Sequence, residues 1–404
     1  MSVDFSEFRY LSYAQEVIFA SGSINRLSEA IDRFHWQRLM LCTSRSVKSN
    51  GQVGLLETIL GERLVTIYDH VQPHVQDTQV VEALALASEK NVEAVIGMGG
   101  GSPIGMAKAV AFALEEKRTG HAPRATFSTE QPLIPVIAIP TTYAGSEMTA
   151  VYGITHTKET PPRKVTVNDP KIAPKLVIYD PELTLDLPPQ LTASTGINAL
   201  AHCIEALYSI TRHPLSTAVA ISGIRYISNA LLSCYQDGKN LEARTEMLLG
   251  SYLAGLSLAS VSMGLHHGLC HVLGGSAGVP HGIANSIILP HAIRFNADVM
   301  ATRLIPAAEA MGIPLNGIRP RVAVEAMGIT LNGINPSVAV EAMALKIFEL
   351  VGQMNLPQRL REAGVSESDL PHLAQLAFQN RTIQNNPKPI TEPAQIETLL
   401  RTAW

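Results

Sequence analysis

Charge is scarce in this chain, and what there is has no basic excess. Asp, Glu, Lys and Arg together make up 16% of it and the formal net charge is −4, which leaves no electrostatic footprint for a nucleic-acid backbone. Long apolar runs are missing too. Stretches such as VIAIP and SIILP fall far short of the roughly 20 residues that a membrane helix needs, so no membrane partner is expected. The opening segment MSVDFSEFRYLSYAQEVIF carries acids and aromatics where a signal peptide needs a basic start and an apolar core, which argues against secretion. Cysteine is limited to Cys42, Cys203, Cys234 and Cys270, without paired spacing, so free thiols in a reducing cytoplasm are expected.

Apolar side chains, by contrast, make up 46% of the 404 residues, enough for two well-buried cores. Up to the Pro-rich stretch DPKIAPKLVIYDPELTLDLPPQ, short apolar runs alternate with helical ones: RLMLCTS, RLVTIYDHV, the amphipathic DTQVVEALALASEK, VEAVIGMGGGS and PLIPVIAIP. This alternation predicts a parallel sheet covered by helices, with LVIYD as one more strand. Helical patterns take over near Leu191, and no later segment reads as a strand. The expected organisation is an α/β domain over residues 1–185 and an all-helical domain over 186–404. Within the second, EAMGIPLNGIRPRVAV and EAMGITLNGINPSVAV, residues 309–340, are a tandem duplication identical at 13 of 16 positions. Two copies of so short a unit cannot build a repeat core, so the duplication reads as local and without chemistry.

Two features carry chemistry. The run VEAVIGMGGGSPIGMAK is a buried strand, a glycine turn and a helix expected to begin near Pro103. Glycine lets backbone approach a ligand closely, and the open N–H groups of a helix start attract an anion, so Gly99, Gly100, Gly101 and Ser102 suit a dinucleotide pyrophosphate. The spacing is neither a Rossmann nor a Walker fingerprint, and a plain strand-to-helix turn has the same glycines. The second feature is the segment Met263 to His291, with five imidazoles. His267 and His271 stand four apart in a run that suits a helix and so share a face, and GGSAGVP turns the chain back to His281. Asn198 and His202 repeat the i, i+4 spacing in INALAHCIEALYSI. A single such histidine is usually a satisfied core residue, but three at matched spacings suggest a cation or carbonyl site built between helices. Cys270 lies between two of them and is not counted among the donors.

With these motifs in hand, the sequence resembles the iron-dependent alcohol dehydrogenase superfamily, and within it the maleylacetate reductases. The likeness runs through EVIFASGSINRL, GMGGGSPIGMAKA, IPTTYAGSEMT, KLVIYDPELTLDLP, TGINALAHCIEALY, GLHHGLCHVLGG, VPHGIANSIILPHAI and NPKPITEPAQIETLLRTAW. TTYAGSE, Gly105 and Asn198 favour the reductase branch, since alcohol dehydrogenases tend to read TTAGTGSE with Asp at the other two places. PHGIANSIILPH is closer to the alcohol dehydrogenases.

The resemblance implies an architecture like that of dehydroquinate synthase, an N-terminal domain binding NADH or NADPH, a catalytic helical domain and a homodimer. It places Ser44, Thr141, Thr142 and Ser146 with the glycine turn at the cofactor, and His271 beside the nicotinamide. In metal-dependent members the Fe2+ or Zn2+ ligands match His202, His267 and His281, with Asn198 as a weak fourth donor where a carboxylate is usual. The reductase branch is held to work without metal, converting maleylacetate to 3-oxoadipate. The same histidines then bind a dicarboxylate and offset enolate charge, and one of them or Tyr143 returns the proton. The competing readings are a metal-dependent alcohol or aldehyde dehydrogenase that tolerates Asn198, a related phosphate-eliminating synthase, and a non-catalytic binding protein of the same fold. A chelator assay separates the first from the reductase, and cofactor titration tests the last.

Overall fold

The structure, a computed structural model, describes residues 8, 10–126, 130–157, 163–314 and 335–404, without the side chains of 163 and 164. It divides into an α/β unit, Leu11–Leu187, and a helical unit from Pro188 to Trp404 that also takes in Phe8 and Tyr10. The division falls after Leu187 rather than after residue 185. A turn there still belongs to the sheet domain: Gln52 Nε2 donates to the carbonyl of Leu183 at 2.8 Å, and the Leu187 amide to that of Thr184 at 3.0 Å.

The α/β unit runs β1 (Glu16–Phe19), α1 (Leu27–Phe34), β2 (Leu39–Cys42), α2 (Arg45–Ser49), α3 (Gln52–Leu60), β3 (Leu64–Tyr68), α4 (Asp77–Glu89), β4 (Ala94–Gly99) and α5 (Gly101–Thr119). It continues with β5 (Val136–Pro140), β6 (Val151–His156), β7 (Arg163–Asn168) and β8 (Leu176–Tyr179). Six strands form a parallel sheet in the order β1-β8-β5-β4-β2-β3. Strands buried on both faces should be apolar at every position, and β2, LMLC, is so. Its alternate side chains enter different cores, Met40 and Cys42 the one with α4 and α5, Leu39 and Leu41 the one with α1 and α3.

Two details depart from the sequence reading. Helix α5 begins at Gly101, two residues before Pro103, because Pro fits the first turn of a helix where its missing N–H costs nothing. The second is an antiparallel ribbon of β6 and β7, paired from Val151 with Asn168 to His156 with Arg163. The alternation of VYGITH was its signal, masked by the nearby Pro161 and Pro162.

The helical unit comprises α6 (Pro189–Tyr208), α7 (Pro214–Gln236), α8 (Leu241–Ser260), α9 (Leu265–Ser276), α10 (His281–Ala310), α11 (Pro336–Gln353), α12 (Leu370–Phe378) and α13 (Pro393–Ala403). Taken singly, α7 is the one helix among the described residues long and apolar enough to cross a membrane. No run in the sequence stands out at that length, and α7 packs on α6 and α8, so its apolar faces belong to the core of this unit. Residues 315–334 of the duplication lie outside the described residues; Glu309 and Ala310 close α10, and Pro336 to Val340 open α11.

Candidate functional site

In the α/β unit, the chain leaves β2 toward β3 on one side and returns to β4 on the other, so sheet order reverses between β2 and β4. Outside the carboxyl ends of strands at such a reversal a crevice opens. Thr43 Oγ1 ties the two ends together by donating to the Met98 carbonyl at 2.8 Å. Ser44, half-buried, follows β2 and stands at the N-terminal boundary of α2 without a side-chain bond to its backbone, with Arg45 exposed beside it. The glycine turn follows β4. Gly99 sits at φ +136°, where an L side chain is strained, and Gly100 precedes a 19-residue helix. Among the described residues no side chain caps α5 and no acid stands in its first turn, so its N–H groups and dipole present a positive end.

Thr141 and Thr142 close the other side. The Thr141 amide donates to the Gly99 carbonyl at 3.0 Å. A Cβ at Gly100 would stand 3.3 Å from Thr142 Cγ2 and Oγ1, so this space is kept open by the missing side chain. Ser102 Oγ accepts from the His74 amide at 3.2 Å, and Ser146 begins a short turn, Ser146–Met148. The structure thus gathers Ser44, Gly99, Gly100, Gly101, Ser102, Thr141 and Thr142 at the carboxyl edge of the sheet, and the cradle fits a dinucleotide phosphate. Tyr143 lies in the same loop but is completely buried.

The helical unit brings four predicted imidazoles together. His202 comes from α6, His267 and His271 from α9, and His281 opens α10. The close start of α10 needs Gly282, where a Cβ would lie 2.7 Å from the Cβ of Ser194 on α6. The rings of His202 and His267 stack at 4.6 Å; His267 and His281 are 6.2 Å apart between ring centres, and His281 and His271 5.8 Å. His202 and His267 are buried, His281 is half-buried and His271 exposed, so the series runs from interior to surface. Asn198, one turn before His202, is buried with Oδ1 unpartnered, as are His202 Nδ1 and His267 Nε2.

Two residues absent from the sequence reading hold this cluster. Glu205, three residues after His202 and fully buried, accepts the amides of Gly264 at 2.9 Å and His266 at 3.2 Å through Oε1. Its Oε2 meets His267 Nδ1 at 2.5 Å. Asn285 Oδ1 lies 2.7 Å from His266 Nε2, while its Nδ2 donates to the His281 carbonyl at 2.7 Å. A charged residue in the apolar run IEALY was the available signal for Glu205.

Burial holds His202 and His267 well below the usual imidazole range, and the neighbouring imidazoles push the same way. Burial raises the Glu205 carboxyl, while His266 and the three backbone amides of Gly264, His266 and His267 oppose the shift. A carboxylate only accepts, so His267 carries its proton on Nδ1 and a lone pair on Nε2.

Whether a metal suits these residues is a question of donor geometry. Among the described residues no three His, Cys, Asp or Glu side chains converge as ligands. The His202 and His267 rings stack with planes 15° apart, so their in-plane lone pairs lie in two near-parallel planes rather than meeting at one point, and Asn198 supplies a neutral oxygen. As placed, the set does not fit a resident Fe2+ or Zn2+ ion.

Comparison with known proteins finds relatives matching both units of the chain. A family model described as iron-containing alcohol dehydrogenase matches residues 14–181, and one for the C-terminal part of the Fe-containing alcohol dehydrogenase family matches 192–404. The maleylacetate reductase of Pseudomonas knackmussii is 34% identical over 390 residues, 96% of this chain and 95% of that protein. The structure of maleylacetate reductase from Agrobacterium tumefaciens is similar with TM-score 0.80 and 30% identity, covering 99% of each chain. An iron-containing alcohol dehydrogenase from Corynebacterium glutamicum gives TM-score 0.78 and 30% identity over 98% of this chain and 96% of its own. Matched across both units, the chain belongs to the iron-containing alcohol dehydrogenase family, a family of oxidoreductases.

Proposed function

We propose that this oxidoreductase uses NADH or NADPH to reduce the carbon–carbon double bond of maleylacetate, or of a closely related unsaturated oxo-dicarboxylate, giving 3-oxoadipate from the former. The observation that carries the reading is the imidazole cluster with an amide, Asn198, where a carboxylate would repel a dianion. The names of the relatives from Pseudomonas knackmussii and Agrobacterium tumefaciens support it.

The α/β unit's task is holding the cofactor: Gly99 to Ser102 and the start of α5 at the pyrophosphate, with Ser44, Thr141, Thr142 and Ser146 around it. A reduced nicotinamide bound there supplies the hydride. Addition β to the ketone leaves negative charge on the ketone oxygen as an enolate, which positioned donors stabilise in the transition state. A dicarboxylate among the histidines favours their protonated form, against the effect of burial on His202 and His267. His267 then gives the Nε2 proton to the α carbon while its Nδ1 keeps its own proton, hydrogen-bonded to the Glu205 carboxylate. His281 and exposed His271 continue the series by which His267 is reprotonated. Tyr143, fully buried in its loop, is the weaker candidate for proton return.

The test is oxidation of NADH and NADPH with maleylacetate and with short aldehydes, with and without chelator. Turnover of maleylacetate that survives chelation supports the reading; turnover of aldehydes alone, lost on chelation, overturns it. One observation favours a metal-dependent alcohol dehydrogenase instead: Asn198 Oδ1, His202 Nδ1 and His267 Nε2 are buried atoms without partners. That reading requires the stacked ring of His202 to turn before these donors can share one ion.

A further inference from the structure

Helix α5 is apolar from Ile104 to Leu114 except for Lys108, and Lys108 is fully buried. An ammonium withdrawn from water needs several acceptors to offset its lost hydration. Lys108 Nζ finds them in one segment: it donates to the carbonyls of Ser146 at 2.6 Å, Thr149 at 2.8 Å and Val151 at 3.0 Å, and lies 3.1 Å from Thr149 Oγ1. The carbonyls can only accept, which suits an ammonium better than a neutral amine. Next in the chain, Glu147 is buried and accepts from Tyr179 Oη of β8 at 2.8 Å.

The placement matters because α5 contributes one wall of the cofactor cradle and the loop from Thr141 to Ser146 the other. We propose that Lys108 is a positioning residue: it fastens the Ser146–Val151 segment to α5, and so sets how Thr141 and Thr142 face the glycine turn and how tightly a nicotinamide dinucleotide is held. This inference rests on the cradle reading given under Proposed function.

A lock made by a buried ammonium depends on pH. Burial pulls Lys108 down to about 7, with Glu147 opposing the shift. Of the other groups facing this region, Tyr152 of β6 is pushed up to about 12 by burial and stays neutral, and Tyr179 donates its hydroxyl to Glu147; Lys171, beyond β7, pairs with Glu115 farther along α5. As pH rises through about 7 the ammonium loses its proton, and the amine has at most two hydrogens for four oxygens. Affinity for cofactor then falls.

Fluorescence titration of the full-length protein with NADH and NADPH, from about pH 6 to about pH 9, tests this, with thermal melts as the check on folding. The wild-type dissociation constant should be flat at low pH and rise about tenfold toward the upper end. Lys108→Met should raise it about tenfold at low pH and remove the pH dependence. Thr149→Val, which removes one acceptor and keeps the shape, should raise it by about threefold. Glu147→Gln should move the midpoint to lower pH by withdrawing the counter-charge. A folded Lys108→Met protein that binds as tightly as wild type overturns the proposal. If that variant does not fold, a wild-type constant independent of pH overturns it, and so does loss of the pH dependence in Glu147→Gln, which would make Glu147 the titrating group. Wild-type protein that binds neither dinucleotide at any pH removes the cradle reading itself, and this inference with it.

Discussion

Glu205 Oε2 stands 2.5 Å from Nδ1 of His267, and the same carboxyl caps the start of α9 by accepting the Gly264 and His266 amides. One buried side chain thus fixes where α9 begins and which nitrogen of His267 faces the site. The arrangement parallels the carboxylates that orient histidines at other active sites. Glu205→Gln keeps the shape but offers no charge to a protonated His267. Its kcat for oxo-acid reduction should fall by about a hundredfold, with KM changed far less. An unchanged kcat in a folded variant would remove Glu205 from the proton path.

Gly100 tests the cradle. Its Cβ would meet Thr142 at 3.3 Å, and the branches of Val would fill the approach to the first turn of α5. Gly100→Val should raise the cofactor dissociation constant at least about tenfold, or about 1.4 kcal/mol. A folded variant with unaltered affinity would falsify this assignment.

Cofactor choice is read from the end of β2. An acid there would bond the ribose hydroxyls and repel a 2′-phosphate, whereas this chain has Ser44 followed by exposed Arg45. NADPH should therefore be accepted, with Arg45 as a phosphate partner, and Ser44→Asp should move preference toward NADH. Side-by-side kinetics decide; strict rejection of NADPH by the wild type would sink the idea.

How much of this was legible depends on where the signal lies. The strands of the parallel sheet were plain in LMLC, AVIGMG and VIAIP because both faces are buried and no position is charged. The spacings of Asn198 with His202 and His267 with His271 fixed their helix faces, and the return after Gly278 brought His281 to them. The β6–β7 ribbon was not seen, since an alternating pattern beside two prolines resembles a loop. Glu205 and Lys108 were missed for another reason: their partners lie 59 to 62 and 38 to 43 residues away, and no local period reports such contacts. A lone charge in an apolar helix is the one local sign of such a residue.

Asn198 divides the two readings of the chemistry. On the reductase reading, preparation with a chelator leaves maleylacetate reduction intact, while His267→Ala and His281→Ala each lose activity through contacts made in the transition state. Asn198→Asp then adds a charged oxygen one helical turn before His202, while burial keeps His202 and His267 neutral and able to offer lone pairs. Zinc or ferrous ion should bind more tightly to that variant, measured by calorimetry, because the carboxylate brings both charge and a better donor. The same charge should raise KM for a dianionic substrate, since repulsion is strong where water is excluded. These two effects have opposite origins in one atom, so seeing both locates the substrate carboxylates at Asn198. Stoichiometric metal in the unmodified protein, with activity abolished by chelator and restored by zinc or iron, would instead require the His202 ring to leave its stack on His267 and would make the protein a metal-dependent dehydrogenase.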